Sequence, residues 1–116
     1  MHSEEKDALV RIFIGENDRY DGKPLYEAIV LKARELDLAG ATVLRGIMGF
    51  GADSRIKSAR ILGLSTDLPI VVEIVDTPEN MDRLMPFLDE AIQEGMVTRE
   101  MVRVVKYRHA NGEHKR

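Results

Sequence analysis

Ala39-Gly40-Ala41-Thr42-Val43-Leu44-Arg45-Gly46-Ile47-Met48-Gly49-Phe50-Gly51 decides how the rest of the chain is read. Its first half carries the aliphatic and β-branched residues of a strand, and its second half is punctuated by glycine at 46, 49 and 51. Glycines so placed suit a tight turn or the close approach of a ligand or another chain. The pattern predicts a central strand feeding a long loop. That loop follows at once, over residues 52–66, and carries Arg55, Lys57 and Arg60. A connection of that length in a compact domain is generally functional or disordered. Residues 58–64 either extend the strand or return as its hairpin partner.

On the N-terminal side, residues 8–14 read as a strand with Ala8, Val10, Ile12 and Ile14 on one face and Leu9, Arg11 and Phe13 on the other. The turn-forming residues 15–22 make a loop with three carboxylates, in a spacing unlike that of a calcium-binding EF-hand. Pro24 opens a helix, where its missing N–H costs nothing. Leu25, Ala28, Ile29, Ala33 and Leu36 form its apolar stripe, and Gly40 is the expected stop after Ala39.

On the C-terminal side, residues 68–75 read as a third strand, with Ile70, Val72 and Ile74 on one face and Glu73 on the other between Val71 and Val75. Asp76-Thr77-Pro78-Glu79 is a helix start: a capping side chain, proline at the first position and an acid in the first turn. Met81, Leu84, Met85, Leu88, Ala91 and Ile92 then recur at helical spacing, with a kink expected at Pro86 and an end at Gly95. Residues 97–100 read as a turn and 101–107 as the last strand.

The resulting order is β-α-β-β-α-β, an α+β ferredoxin-like fold with two helices on one face of a four-stranded antiparallel sheet. It forms one domain, residues 8–108, with flexible termini at 1–7 and 109–116. The other sheet face is left bare, yet Leu9, Phe13, Met48, Phe50, Val71, Val75 and Val105 are apolar. Exposed apolar surface of that extent marks an interface, so an oligomer of closed cyclic symmetry is expected.

Composition narrows the function classes. The 116 residues suffice for a single hydrophobic core. A formal charge of −3 gives no support for non-specific nucleic-acid or membrane binding, and with 5% aromatic residues a base-stacking surface for single-stranded nucleic acid is not expected. With no cysteine there is no thiol nucleophile or thiolate metal site, which suits a cytoplasmic protein. No apolar run approaches the roughly 20 residues of a membrane span, so no direct membrane insertion is expected. His2, His109 and His114 sit near the ends without metal-ligand spacing, so no metal is predicted. No serine–histidine–acid set or phosphate loop can be assembled, and an enzyme is not the first expectation.

Three segments carry a family resemblance. Ile12-Phe13-Ile14-Gly15-Glu16 with Asp18-Arg19-Tyr20 and Pro24-Leu25-Tyr26, then residues 40–51, then Asp67-Leu68-Pro69 with its valine-rich strand, together resemble the domain-of-unknown-function 190 family. That family looks like a divergent branch of the PII signalling proteins. The resemblance implies a homotrimer whose sheets pack around the three-fold axis, adenine nucleotides bound between subunits, and a loop after the second strand that contacts a target protein, such as a membrane transporter or channel. Gly40-Ala41-Thr42-Val43 resembles the start of the PII second strand, and Gly49-Phe50-Gly51 resembles the turn into the target loop. Glu73 matches a glutamate that contacts adenine, and Arg103 matches an arginine that reaches phosphate. The glycine- and lysine-rich phosphate-gripping loop has no counterpart; Glu94-Gly95-Met96-Val97-Thr98 stands there instead. No tyrosine in residues 52–66 offers a uridylylation site.

The expected ligand site is therefore Thr42, Gly49, Gly51, Glu73 and Arg103, for a small anionic metabolite of the adenine nucleotide class. The expected partner-contact loop carries Arg55, Lys57 and Arg60. Two alternatives stay open: a small enzyme using Glu73 as a base in the inter-subunit cleft, and a structural trimer without a ligand.

Overall fold

A computed structural model of the chain describes residues 5–60 and 67–110. The expectations for the lead-in before residue 5, for loop residues 61–66 and for the tail beyond residue 110 lie outside the described residues. In chain order the elements are β1 (Asp7–Gly15), β2 (Arg19–Tyr20), β3 (Lys23–Pro24), α1 (Leu25–Glu35), β4 (Thr42–Arg45), β5 (Met48–Gly49), β6 (Lys57–Ser58), β7 (Pro69–Asp76), α2 (Pro78–Ala91) and β8 (Met96–Val102).

The main sheet has strand order β4-β7-β1-β8, antiparallel throughout. This is the ferredoxin-like arrangement, with both helices on one face. On that face Ala8, Val10 and Ile12 of β1 and Val72 of β7 have no exposed surface, and they pack with Ile29, Ala33, Met81, Leu84 and Leu88 of the helices. Each large aliphatic side chain removed from water here contributes about 1.5–3 kcal/mol before the cost of ordering the chain.

Local chemistry sets the ends of the elements. The Thr77 hydroxyl accepts from the Asn80 N–H at 3.2 Å and caps α2, with Pro78 at its first position. The helix runs on through Pro86 to Ala91. The segment after β1 folds into a small hairpin over residues 19–24, β2 with β3, turned by Asp21 (φ 51°) and Gly22 (φ 81°). This Asp-Gly pair suits the two left-handed residues of a tight hairpin turn. Tyr20 of that hairpin packs edge-on against Phe87 of α2 at 5.2 Å between ring centres.

Helix α1 ends earlier than expected. Its last residue is Glu35, and the left-handed position after it belongs to Asp37 (φ 62°), not to Gly40. The Asp37 N–H donates to the Arg34 carbonyl and the Leu38 N–H to the Ala33 carbonyl, each at 3.0 Å. This is the Schellman pattern, and it drops Leu38 into the core, where it is buried.

The last strand is displaced by five residues from its expected start. It begins at Met96, so residues 97–100 are strand and not turn, and residues 103–107 lie past its end. Gly95 explains the early start. An added Cβ there would lie 2.6 Å from the Phe13 carbonyl oxygen, and its φ is +152°. The chain leaves α2 already pressed against β1 and pairs at once, Met96 opposite Phe13.

The predicted second strand is broken. β4 stops at Arg45, Gly46 donates its N–H to the Pro69 carbonyl at 2.7 Å, and β5 pairs with β6 as a separate two-stranded arm. Met48 and Phe50 therefore belong to the arm and the turn beyond it, not to the bare face of the main sheet, and Val105 lies beyond β8.

Gly95→Ala should lower stability by about 2 kcal/mol or more, because the backbone carbonyl it meets cannot move aside cheaply. Gly40→Ala, with no atom near its Cβ position, should stay within about 0.5 kcal/mol of wild type. Urea unfolding of the two variants measures both.

Candidate functional site

The sheet face away from the helices carries Leu9, Arg11 and Phe13 of β1 and Val71, Glu73 and Val75 of β7, none of them fully buried. Strand pairing places Arg11 opposite Glu73, and Glu73 opposite Thr42. The Arg11 Nε–H donates to a Glu73 carboxylate oxygen at 2.9 Å, and its Nη1 lies 3.5 Å from Glu100 of β8. A polar row thus crosses four strands in the middle of an otherwise apolar face. The hydrogen bond that Arg11 donates to Glu73 raises the Arg11 pKa above its ordinary value, against a smaller opposing effect of desolvation. Both side chains keep more than a third of their surface in water, so solvent screens the pair.

Beside this row lies an open cleft of about 490 Å3, lined by Ala39, Gly40, Ala41, Thr42, Glu73, Val75, Val104 and Tyr107. Its rim is held in place by a buried carboxylate. Asp76, at the end of β7, has no exposed surface. One of its oxygens accepts from the Ala39 N–H at 2.7 Å; the other accepts from the Thr77 N–H at 2.7 Å and the Asn80 amide at 2.9 Å. The group that helps start α2 therefore also fixes the segment between α1 and β4. On the opposite side the Tyr107 hydroxyl donates to the Ala39 carbonyl at 3.4 Å. The chain after β8 thus supplies the second wall, through Val104 and Tyr107.

Of the residues expected from sequence, Thr42 and Glu73 come together as a facing pair in this cleft. Arg103 is exposed one residue before the lining residue Val104, just past the end of β8 and not within it. Gly49 and Gly51 do not join them. Gly49 pairs with Lys57 in the arm, and Gly51 accepts from the Ser54 N–H in the turn beyond. The sequence reading missed Tyr107, Val104 and the structural part played by Asp76. An aspartate at a strand end, just before a helix cap, was the available signal for the last.

The arm is fastened by charge. Lys57 lies 3.0 Å from Asp67 and 3.9 Å from Asp53. At the neighbouring strand end, Arg45 donates to the Glu16 carboxylate. Burial pushes the Asp67 carboxyl up, but the Asn17 N–H and Lys57 outweigh it and hold it below its ordinary value. Hydrogen bonding to Asp67 pushes the Lys57 pKa up, against the effect of burial. Arg55 and Arg60, the other loop cations, have no side-chain ion pair among the described residues. No group of three or more metal-ligating side chains is assembled among the described residues, and no helix there is long and apolar enough to cross a membrane.

The clamp has a defined pH window. Asp67 is depressed on folding, so its contribution is present above the unfolded value of about 3.9 and is lost as pH falls through the lower folded value. Lys57 is raised, so its contribution is present below about 10.4 and is lost as pH rises through the higher folded value. The Ala59 amide, which donates to the Ile47 carbonyl across the arm, should hold its NMR position through neutral pH and shift once the pH falls below about 4. In Asp67→Asn at neutral pH, tryptic cleavage after Arg55 and Arg60 should speed up several-fold.

Comparison with known proteins places this fold. The model of the DUF190 family, described as an uncharacterized ACR, matches residues 7–104. A UPF0166 protein of Aquifex aeolicus is 39% identical over 102 residues, covering 86% of this chain and 94% of that protein. A UPF0166 protein of Methanocaldococcus jannaschii is 34% identical over 88 residues, covering 76% and 81%. Among solved structures, the B. subtilis GlnK–ATP complex aligns with a TM-score of 0.53 at 12% identity, over 87% of this chain and 85% of that one. The divalent ion tolerance protein CutA1 of Ehrlichia chaffeensis aligns with a TM-score of 0.54 at 9% identity, over 90% and 87%. At such identities the likeness concerns the fold, and it is the PII-like form of the ferredoxin-like arrangement. With its family match spanning most of the sequence and two strand–helix–strand halves in the PII-like order, the chain belongs to the DUF190 family.

Proposed function

We propose that the protein is a homotrimeric regulatory protein of the PII-like kind. It binds a small anionic metabolite of the adenine nucleotide class in the cleft beside Thr42 and Glu73, where subunits meet, and it contacts a partner protein through the loop of residues 52–66. The observation that carries this reading is the facing Thr42–Glu73 pair, set in a cleft with apolar walls on a sheet face that the helices leave uncovered.

The chemistry of the cleft suits such a ligand. Val75 and Val104 offer apolar contact to a planar base, and Tyr107 offers an aromatic ring. The Glu73 carboxylate is an acceptor for an exocyclic amino group, and the Thr42 hydroxyl can donate or accept. Arg103, exposed beside this wall, supplies a planar fork of the kind that grips phosphate. The GlnK structure of like fold is an ATP complex. Here, however, the connection between α2 and β8 is short, and Gly95 is packed against the Phe13 carbonyl. That connection is too short to wrap a triphosphate tail, which favours a ligand with fewer phosphates. Held by Arg11, Glu73 is better suited to accepting a hydrogen bond than to removing a proton from a substrate.

Regulation follows from differential affinity. A ligand that binds one arrangement of the cleft and arm better than another shifts the population toward it. Thermal unfolding in the presence of AMP, ADP, ATP and cyclic AMP tests the reading. The melting temperature should rise with the logarithm of concentration for at least one of these, more for AMP or ADP than for ATP. Glu73→Gln and Arg103→Ala should each weaken the response by about tenfold in ligand concentration, the loss of one charge-assisted hydrogen bond. No shift with any of the four nucleotides at millimolar concentration would overturn it.

A further inference from the structure

Away from the sheet face, the described residues bare a second apolar surface, on the arm. Ile47 is 79% exposed, Phe50 69%, Met48 60% and Ile56 57%. The arm is a ladder of two residue pairs, Met48 with Ser58 and Gly49 with Lys57, closed beyond by a turn in which Ser54 donates to Gly51. An isolated two-stranded ribbon has no layer to cover either of its faces. Ile47, just before β5, and Met48, its first residue, lie at the base of the arm, whereas Phe50 and Ile56 lie beyond the β5 pairing, towards its turn. The arm therefore bares apolar side chains along its length, from base to turn. A groove on a folded partner covers one side of such a ribbon, whereas a lipid interface surrounds it.

Charge points the same way. Residues 47–60 carry Arg55, Lys57 and Arg60 against the single carboxylate of Asp53, on a chain whose formal charge is −3. Lys57 is committed to Asp67 and Asp53, which leaves the two arginines to face outward. An acidic body with a cationic, apolar arm is oriented by a negatively charged surface: the arm is attracted and the body repelled.

We propose that the arm is a peripheral anchor for an anionic bilayer. Ile47, Met48, Phe50 and Ile56 enter the boundary between headgroups and acyl chains, and Arg55 and Arg60 meet the lipid phosphates. This inference rests on the use of the arm as a contact surface proposed above, adds an anionic bilayer to what that surface meets, and does not depend on the ligand cleft. One arm binds weakly, and several arms on one oligomer bind together with the gain that multivalency brings.

Flotation of the purified full chain with lipid vesicles tests it. The protein should float with vesicles of phosphatidylcholine and phosphatidylglycerol in equal parts at low salt. It should bind at least about tenfold less to phosphatidylcholine alone, or to the mixed vesicles at high salt. The double variants Ile47→Ser with Phe50→Ser, and Arg55→Glu with Arg60→Glu, should each lose at least about tenfold in binding. The control Arg34→Glu, on an exposed part of α1, should bind as wild type. Melting of each variant is measured alongside, and the charge variant decides if the apolar one is destabilised. Absence of flotation would overturn the proposal in favour of an acidic protein surface, and binding that survives the charge variant would overturn it in favour of another lipid contact. Loss of oligomer mass in the apolar variant would assign the arm to a second copy of this chain and overturn it too. A nucleotide-dependent melting shift without flotation would remove this inference and leave the cleft reading standing.

Discussion

The structure depends on the way β1 is held between β7 and β8. The β1–β7 pairing runs from Ala8 opposite Asp76 to Gly15 opposite Pro69. Because strand side chains alternate, this register sends Ala8, Val10 and Ile12 into the helix-covered core and leaves Leu9, Arg11 and Phe13 on the open face. A slip of one residue would exchange the two sets. The same register brings Arg11 to Glu73, and the β4–β7 register brings Glu73 to Thr42. The core and the candidate site are thus products of one constraint.

The open face follows from having two helices for a sheet with two sides. Its polar row holds the charged groups Arg11, Glu73 and Glu100, which pair with one another within the chain, and the uncharged Thr42 and Thr98. Covering a charge that already has its partner is far less costly than covering one that does not. The paired charges thus lower the cost of burying this face in the proposed oligomer. The cleft adjoins it, and one of the cleft's walls comes from a segment after β8 that belongs to no sheet. In the proposed oligomer the cleft would lie at the margin of the buried face and respond to how the subunits sit, which is the physical basis of the proposed regulatory role.

Much of this was legible in the sequence, for identifiable reasons. β1 and β7 alternate cleanly, the stripe of α1 repeats at helical spacing, and Thr77-Pro78 announces α2. The end of α1 was not legible, because Asp37 rather than a glycine takes the left-handed position, and the reason is the burial of Leu38. Nor was the start of β8, since Thr98, Arg99 and Glu100 look like a turn. They are strand because Arg99 reaches Asp82 of α2 at 2.8 Å and Glu100 meets Arg11 on the open face, partners that exist only in three dimensions. In the site, Thr42 and Glu73 could be found from strand position, while Tyr107 and Val104 could not, because tertiary folding alone carries them there. Gly49 belongs to the arm and Gly51 to the turn beyond it, and Met48 and Phe50 leave the main sheet face because the strand does not merely bulge at Gly46 but ends there.

The central claim is that the open sheet face and its cleft are completed by further copies of the chain. Light scattering on the protein as it elutes from a sizing column tests this most directly. The account predicts a mass about three times the 13.1 kDa of one chain, stable on dilution into the micromolar range. A single species of 13.1 kDa under those conditions would contradict it.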